Sequence, residues 1–320
     1  MPRRDLPADP LIFAARHGRW VLVGGLVAGV LLPGLAAVLR PFVPQMVALL
    51  LFLAALRIGT GVFAGALRAL PLTVGVVLAV QLALPLLVIA GARALGLADT
   101  PTAIALAIMC AAPSIVGSPN MCLMLGAPPE LAMRLLILGT ALLPVTVIPV
   151  FWFLPQLGAV SEVLIAALRL LAVIALAAGA GFALRRFAWR APGAVALARL
   201  DGVSALVLAV FVVGLMPAVG GALRGDPWVA AYWMATVLVV NFGAQILVHR
   251  IMRQRGAGVA VPVALISGNR NIALFLVALP PEVTAPIMVF IGCYQIPMFL
   301  TPLVMGWVYG QGGRQNPATG

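Results

Sequence analysis

Residues 113–120, PSIVGSPN, decide how this chain is read, together with residues 268–271, GNRN, which echo them in the second half. Both are polar, glycine-bearing breaks inside otherwise apolar segments. Asn120 leads through MCLMLGA to Pro128, Pro129 and Glu130; Asn271 leads through IALFLVAL to Pro280, Pro281 and Glu282. Aligned on the two asparagines, Leu123 matches Leu274 and Leu125 matches Leu276, and a one-residue gap brings the Pro-Pro-Glu runs together. An interrupted hydrophobic segment at corresponding positions of two halves is the best sequence pointer to a transporter's binding site.

The surroundings of the two breaks are membrane-like. Of 320 residues, 63% are apolar and 9% charged, and the mean hydropathy is +1.16. Soluble domains carry about 25% charged residues, so the solvent for most of this chain is lipid. A backbone in lipid must satisfy itself as helices or a closed barrel, and long apolar runs choose helices. The formal charge of +12 reads as orientation charge at helix ends rather than as a nucleic-acid footprint. The three cysteines, Cys110, Cys122 and Cys293, fall inside apolar segments with no metal or disulfide spacing.

About ten spans result, at 20–38, 41–57, 69–92, 101–125 (broken), 129–153, 161–183, 202–220, 228–249, 258–280 (broken) and 283–308. Pro41 after Arg40, Pro71, Pro101, Pro155, Pro192 and Pro227 mark the turns. All 20 basic residues are arginines. Arg169 and Arg270 fall within spans, Arg40, Arg93 and Arg224 fall on one side, and the rest, from Arg3 and Arg4 to Arg314, fall on the other. That bias places both termini in the cytoplasm. Lysine-free, Ala- and Leu-rich composition suggests a bacterial inner-membrane protein.

The expected fold is therefore an all-α polytopic membrane protein. Ten spans divide into two five-helix repeats, residues 20–153 and 161–308, between a cytoplasmic segment 1–19 and a cytoplasmic tail 309–320. An odd number of spans per half makes the second repeat inverted, and the breaks fall in the fourth span of each half.

In the first break, Pro113 and Pro119 remove amide donors and Gly117 relaxes the backbone. Ser114, Ser118 and Asn120 add polar ligands, against the plainer reading of a packed proline kink. The second break holds Ser267, Asn269, Arg270 and Asn271. An arginine at mid-membrane costs about 2.5–3.5 kcal/mol on insertion scales, so it faces a partner or a cavity. The eight acidic residues all lie in tails, loops or span ends, which leaves backbone carbonyls or an anionic ligand as partners for Arg270. Gln81, Asn241, Gln245, Tyr294 and Gln295 are further polar residues within spans, each read as an interhelical hydrogen bond or a cavity liner. Arg169, on the helix face of Glu162, reads as snorkelling to the interface or pairing there.

The order of spans, the AP…SPN crossing, the G-x-[QR]-N crossing and the run LPGLAAVLRPFVPQMVALLLFLAALRIG together resemble the bile acid:sodium symporter family. That resemblance implies a panel domain (spans 1, 2, 6 and 7) moving against a core (spans 3–5 and 8–10), in which the broken helices cross beside the substrate. It further implies that Ser118 and Asn120 match the family's Ser-Asn pair, with Pro119 between them here, that Gln81 matches a sodium-site glutamine, and that Asn271 matches the asparagine of a Gln-Asn pair. Arg270 stands where the family has that glutamine, and Ile266 where it has an acidic residue. Met133, Arg134 and Ile137 occupy the region of its hydroxyl ligands. A guanidinium offers only donors, whereas sodium requires oxygens.

The leading expectation is a secondary carrier of an organic anion, a bile-acid-like molecule or a small carboxylate or sulfonate, working by alternating access without a cofactor. Arg270 would replace a sodium ion and meet the substrate with Ser118, Asn120, Asn269, Asn271, Tyr294 and Gln295. One alternative keeps sodium symport, with Gln81, Ser114, Ser118, Asn120 and Asn271 as ligands. Another is a non-transporting membrane sensor that retains a degenerate site; an arsenite carrier is a further transport alternative. An enzyme is the weakest reading, because the spans hold no carboxylate pair, histidine cluster or nucleophile–base pair.

Overall fold

The computed structural model describes residues 9–59, 70–154 and 160–309. Arg3 and Arg4, Arg68, Pro155, and Arg314 with the rest of the 310–320 tail lie outside the described residues. Among the described residues, seven helices are long and apolar enough to cross a bilayer: Pro33–Ile58, Pro71–Ala94, Glu130–Trp152, Ser161–Phe187, Ala194–Gly225, Pro227–Arg255 and Pro281–Val308. This is a multi-pass, all-helical membrane protein. Two shorter apolar helices, Pro101–Ala111 and Ala257–Gly268, precede the two breaks.

The first helices are α1 (Pro10–Arg16), α2 (Gly18–Leu31), α3 (Pro33–Leu39) and α4 (Val43–Ile58). Here the structure differs from the expected turn at Arg40 and Pro41. The chain reverses at Leu32, whose backbone leaves the helical region (φ −116°, ψ 69°) because it precedes Pro33. Along the later helix α11 (Ala194–Gly225), contacts first climb, with Gly25 at Ala209 and Val30 at Gly220. They then descend, with Leu39 and Val43 at Gly214 and Leu53 and Leu56 beside Leu200. Arg40–Phe42 forms a 3-10 turn that carries α3 into α4. Pro41 is tolerated there because a proline in a helix's first turn forfeits no bond.

Part of the expected N-terminal segment is itself helical. α1 lies at 91° to the helix that follows it, and its Leu11 carbonyl rests on Gly202. Asp9 caps α1 through the Leu11 amide at 2.9 Å and accepts from Arg199 Nε at 2.6 Å. That bond to Arg199 holds the Asp9 carboxyl below its usual range.

The chain continues through α5 (Leu70–Leu78), a π turn at Ala79–Ala83, α6 (Leu84–Ala94), α7 (Pro101–Ala111), α8 (Ser118–Met124) and α9 (Glu130–Trp152). After α10 (Val160–Phe187) and α11 come α12 (Pro227–Met252), α13 (Ala257–Gly268), α14 (Phe275–Ala278), α15 (Pro281–Thr284) and α16 (Met288–Val308). Helices α2, α3, α4, α10 and α11 pack on one another, and α5–α9 pack with α12–α16. The two groups meet where α10 rests on α9 and α14, where α4 rests on α14, and where α11 rests on α12 and α16. Within the second group, Phe151 of α9 and Phe275 of α14 are in edge contact, ring centroids 5.7 Å apart. Gly292 lets α16 come down on Val219 and Met216. By contrast α8 packs closely only on α9, α13 and α16 of its own group, leaving Asn120, Leu123 and Met124 on an exposed face.

Candidate functional site

The two breaks cross. Ser114 and Arg270 form an antiparallel bridge, with the Ile115 amide donating to the Asn269 carbonyl at 3.2 Å and the Asn271 amide donating to the Pro113 carbonyl at 2.8 Å. Backbone groups stripped of helical partners thus satisfy one another, as they must away from water. Pro113 forces Ala112 into extended geometry (φ −66°, ψ 147°), which stops α7. The second break has no proline. There the Gly268 carbonyl is taken by Asn241 Nδ2 at 2.5 Å and by the Tyr294 hydroxyl, and Asn269 leaves the helix (φ −104°, ψ 94°).

Arg270 is 2% exposed, and three backbone carbonyls hold its guanidinium. Nε donates to Ser267 at 3.2 Å, Nη1 to Ala112 at 3.0 Å and Nη2 to Val80 at 3.1 Å. Each carbonyl is free for a stated reason. Ala112 and Ser267 belong to the C-terminal turns of α7 and α13, where orphan carbonyls carry the negative end of the helix dipole. Val80 lies in the π turn, where the Leu84 amide bonds Ala79 instead. The next donor in that register would be residue 85, a proline. One cation therefore sits where two half-helix ends and a π turn converge. The ion pairs recorded among the described residues, Arg57–Asp201 and Arg199–Asp9, lie elsewhere.

A second network fixes the break from behind. Asn269 Oδ1 accepts from Asn241 Nδ2 at 3.1 Å and Thr301 Oγ1 at 3.2 Å. Gln245 Nε2 donates to Asn241 Oδ1 at 2.7 Å and to Thr301 Oγ1 at 3.2 Å, and Tyr309 Oη donates to Gln245 Oε1 at 2.9 Å. Asn269 Nδ2 and Gln295 Oε1 are buried without a partner.

The predicted residues therefore divide. Ser114, Asn269, Arg270, Asn271 and Tyr294 meet at the crossing, and Ser118 joins them by accepting from Ser114 Oγ at 2.8 Å. Asn120, three residues into α8, faces away on the exposed side of that half-helix. Gln81 points its amide at the Gly139 carbonyl and Thr146 hydroxyl, both at 2.9 Å, binding α9 to the π turn. Gln295 Nε2 bonds back to Ile291 of its own helix at 3.2 Å. Of the candidate sodium ligands Gln81, Ser114, Ser118, Asn120 and Asn271, the recorded side-chain bonds join Ser114 to Ser118; the guanidinium of Arg270 is held by three carbonyls. Thr146, Thr301, Tyr309 and the Val80 carbonyl carry no signal in the sequence that singles them out, apart from Pro85 in the case of Val80.

No known protein-family model matches this sequence, and no curated protein matches it either.

Tyr294→Phe removes one donor from the Gly268 carbonyl and the acceptor of the Arg270 amide, which is bonded at 3.2 Å. Asn241 still holds that carbonyl, so the expected loss is about 1–3 kcal/mol, mainly from the orphaned amide. Thermal unfolding in detergent measures it. An unchanged midpoint would show that the hydroxyl does not help to hold the crossing.

Proposed function

We propose that this protein is a secondary carrier of an organic anion, working by alternating access around the two crossed helices. The observation that supports it best is a buried cation held by carbonyls at a crossing of two broken helices. Discontinuous helices at mid-membrane are how carriers expose backbone groups to a substrate. In this reading the chain comprises two inverted five-helix repeats with ten spans, the broken segments being the fourth and ninth. α2–α4, α10 and α11 form the panel that moves against the remaining helices, as the resemblance to bile acid:sodium symporters implies. Both termini lie in the cytoplasm of a bacterial cell. In this reading the exposed α8 face with Asn120, Leu123 and Met124 is the side from which the substrate reaches the crossing.

Arg270 then serves as a resident cation in place of sodium. Its carbonyl cage means that in this state it acts on the substrate through its field and by holding the crossing. Direct contact falls to Asn120 and Asn271, beside an apolar face suited to an amphipathic anion.

The test is a thermal-unfolding screen of bile acids, small carboxylates and sulfonates in sodium and in potassium at equal ionic strength, followed by counterflow of the best ligand in proteoliposomes. Ligand bound only by the folded state raises the midpoint. Saturable protection by an anion, equal in both salts and accompanied by flux, is the expected result. A shift with sodium alone would replace this reading with ordinary sodium symport. Binding without flux would indicate a sensor.

A further inference from the structure

Helix α1 leaves the direction taken by the helices that cross the bilayer. α2 runs along α11, with Gly25 against Ala209 and Gly29 against Val213 and Met216, and α11 is long and apolar enough to span. α1 stands at 91° to that course, so it lies across the bilayer normal rather than along it.

Its height is set by what it touches. Asp9 accepts from Arg199 and the Leu11 carbonyl rests on Gly202. Between these two contacts Asp201 pairs with Arg57. Arg57, Asp201 and Arg199 keep a third or more of their side chains exposed, and charges so exposed stand at the lipid–water boundary rather than among acyl chains. α1 therefore lies at that boundary, at the end of the five-helix group that also carries Arg185 beside Gly59.

The helix buries Ile12 and Ala14 and turns Phe13 outward, 62% exposed. Phe13 stacks on His17, ring centroids 4.1 Å apart, and the His17 carbonyl accepts from the Trp20 amide at 2.8 Å. Trp20, 65% exposed, begins a stripe that continues through Val23, Val27 and Leu31, all exposed. Their spacing of three and four residues is that of one helix face. Gly25 and Gly29 are buried on α11, so the stripe lies on the side of α2 that faces acyl chains. A tryptophan at the end of such a stripe sits at headgroup level. The outward surface thus passes from acyl chains at Leu31 to the interface at Trp20, and from there through His17 to Phe13.

We infer that α1 is an interfacial helix whose Phe13 face docks into the boundary between headgroups and acyl chains, in the leaflet at the arginine-rich end. An apolar ring on a short helix lying in that plane is how a chain binds a lipid surface without crossing it. This surface is apart from the crossing and does not depend on what the protein carries.

The test places a nitroxide on the full-length protein in nanodiscs of phosphatidylethanolamine and phosphatidylglycerol. Collision rates are read with oxygen, which concentrates in lipid, and with a water-soluble nickel chelate. Cys110, Cys122 and Cys293 are buried, and the unsubstituted protein gives the background. Phe13→Cys is expected to show an oxygen-to-nickel ratio about threefold above that of Asp99→Cys, in the loop before α7, and below that of Val27→Cys. All three positions are exposed, so unfolding midpoints should match the wild type. If Phe13→Cys lowers the midpoint, His17→Cys, exposed on the same helix end, takes its place with the same expected ratio. A ratio equal to that of Asp99→Cys would put this face in water. Low collision rates with both reagents would put it against protein, a second copy included. Either result overturns the inference.

Discussion

Arg270→Met is expected to unfold with about 3–5 kcal/mol less stability than the wild type. The methionine fills much of the volume but leaves the carbonyls of Val80, Ala112 and Ser267 without donors. Pro85 denies Val80 any substitute in the π register. Removing a buried charge recovers some desolvation cost, which keeps the figure below the sum of three orphaned groups. Arg270→Lys keeps the charge but lacks the planar fork that reaches three directions, so it should lose about half as much. Unfolding midpoints and denaturant titrations in one detergent give the comparison. A methionine variant within about 1 kcal/mol of the wild type would show that the carbonyls find other partners and that the arginine is not what holds the crossing.

Gly268→Ala is the second large effect, at roughly 3 kcal/mol. A Cβ at that position would meet the Asn241 backbone carbonyl and stand 2.6 Å from Gln245 Cγ. α13 cannot back away, because Asn241 and Tyr294 both bond the Gly268 carbonyl. The substitution therefore pushes the second break off α12 and disturbs Arg270 two residues later. Gly243→Ala, on α12 with nothing within 4 Å of its Cβ, is the control and should be neutral or slightly stabilising. Equal midpoints for the two alanine variants would contradict the close approach.

Most of the long helices can be read from apolar-run length and punctuation alone. Glu130–Trp152 and Pro227–Met252 fall within a few residues of their expected spans, since proline and charge mark their ends. The first hairpin is misplaced in the sequence because Arg40 and Pro41 look like a turn, while Leu32 and Pro33, inside an apolar run, do not. Pro129 and Pro280 stand at the N-termini of the helices that follow the breaks, α9 and α15. The stop before the first break is legible in the sequence and the stop before the second is not. The reason is physical. A proline ends the first half-helix from within the sequence, but hydrogen bonds from α12 and α16 end the second, and distant donors leave no local signature. For the same reason the sequence leaves the partner of Arg270 open between carbonyls and a ligand: carbonyl availability depends on where helices stop, and Gln81 gives no hint that its neighbour's oxygen is free.

A guanidinium bonded to three carbonyls is covalently part of the chain, so it cannot be loaded on one side of a membrane and released on the other. Whatever charge it carries across in one half of a transport cycle, it carries back in the other. Under the proposed function, this site does no electrical work over a complete cycle and can harvest no ion gradient. The only net charge moved through it is the substrate's own. For a monovalent anion that is about 2.3 kcal/mol per 100 mV, directed outward from a cell with a negative interior.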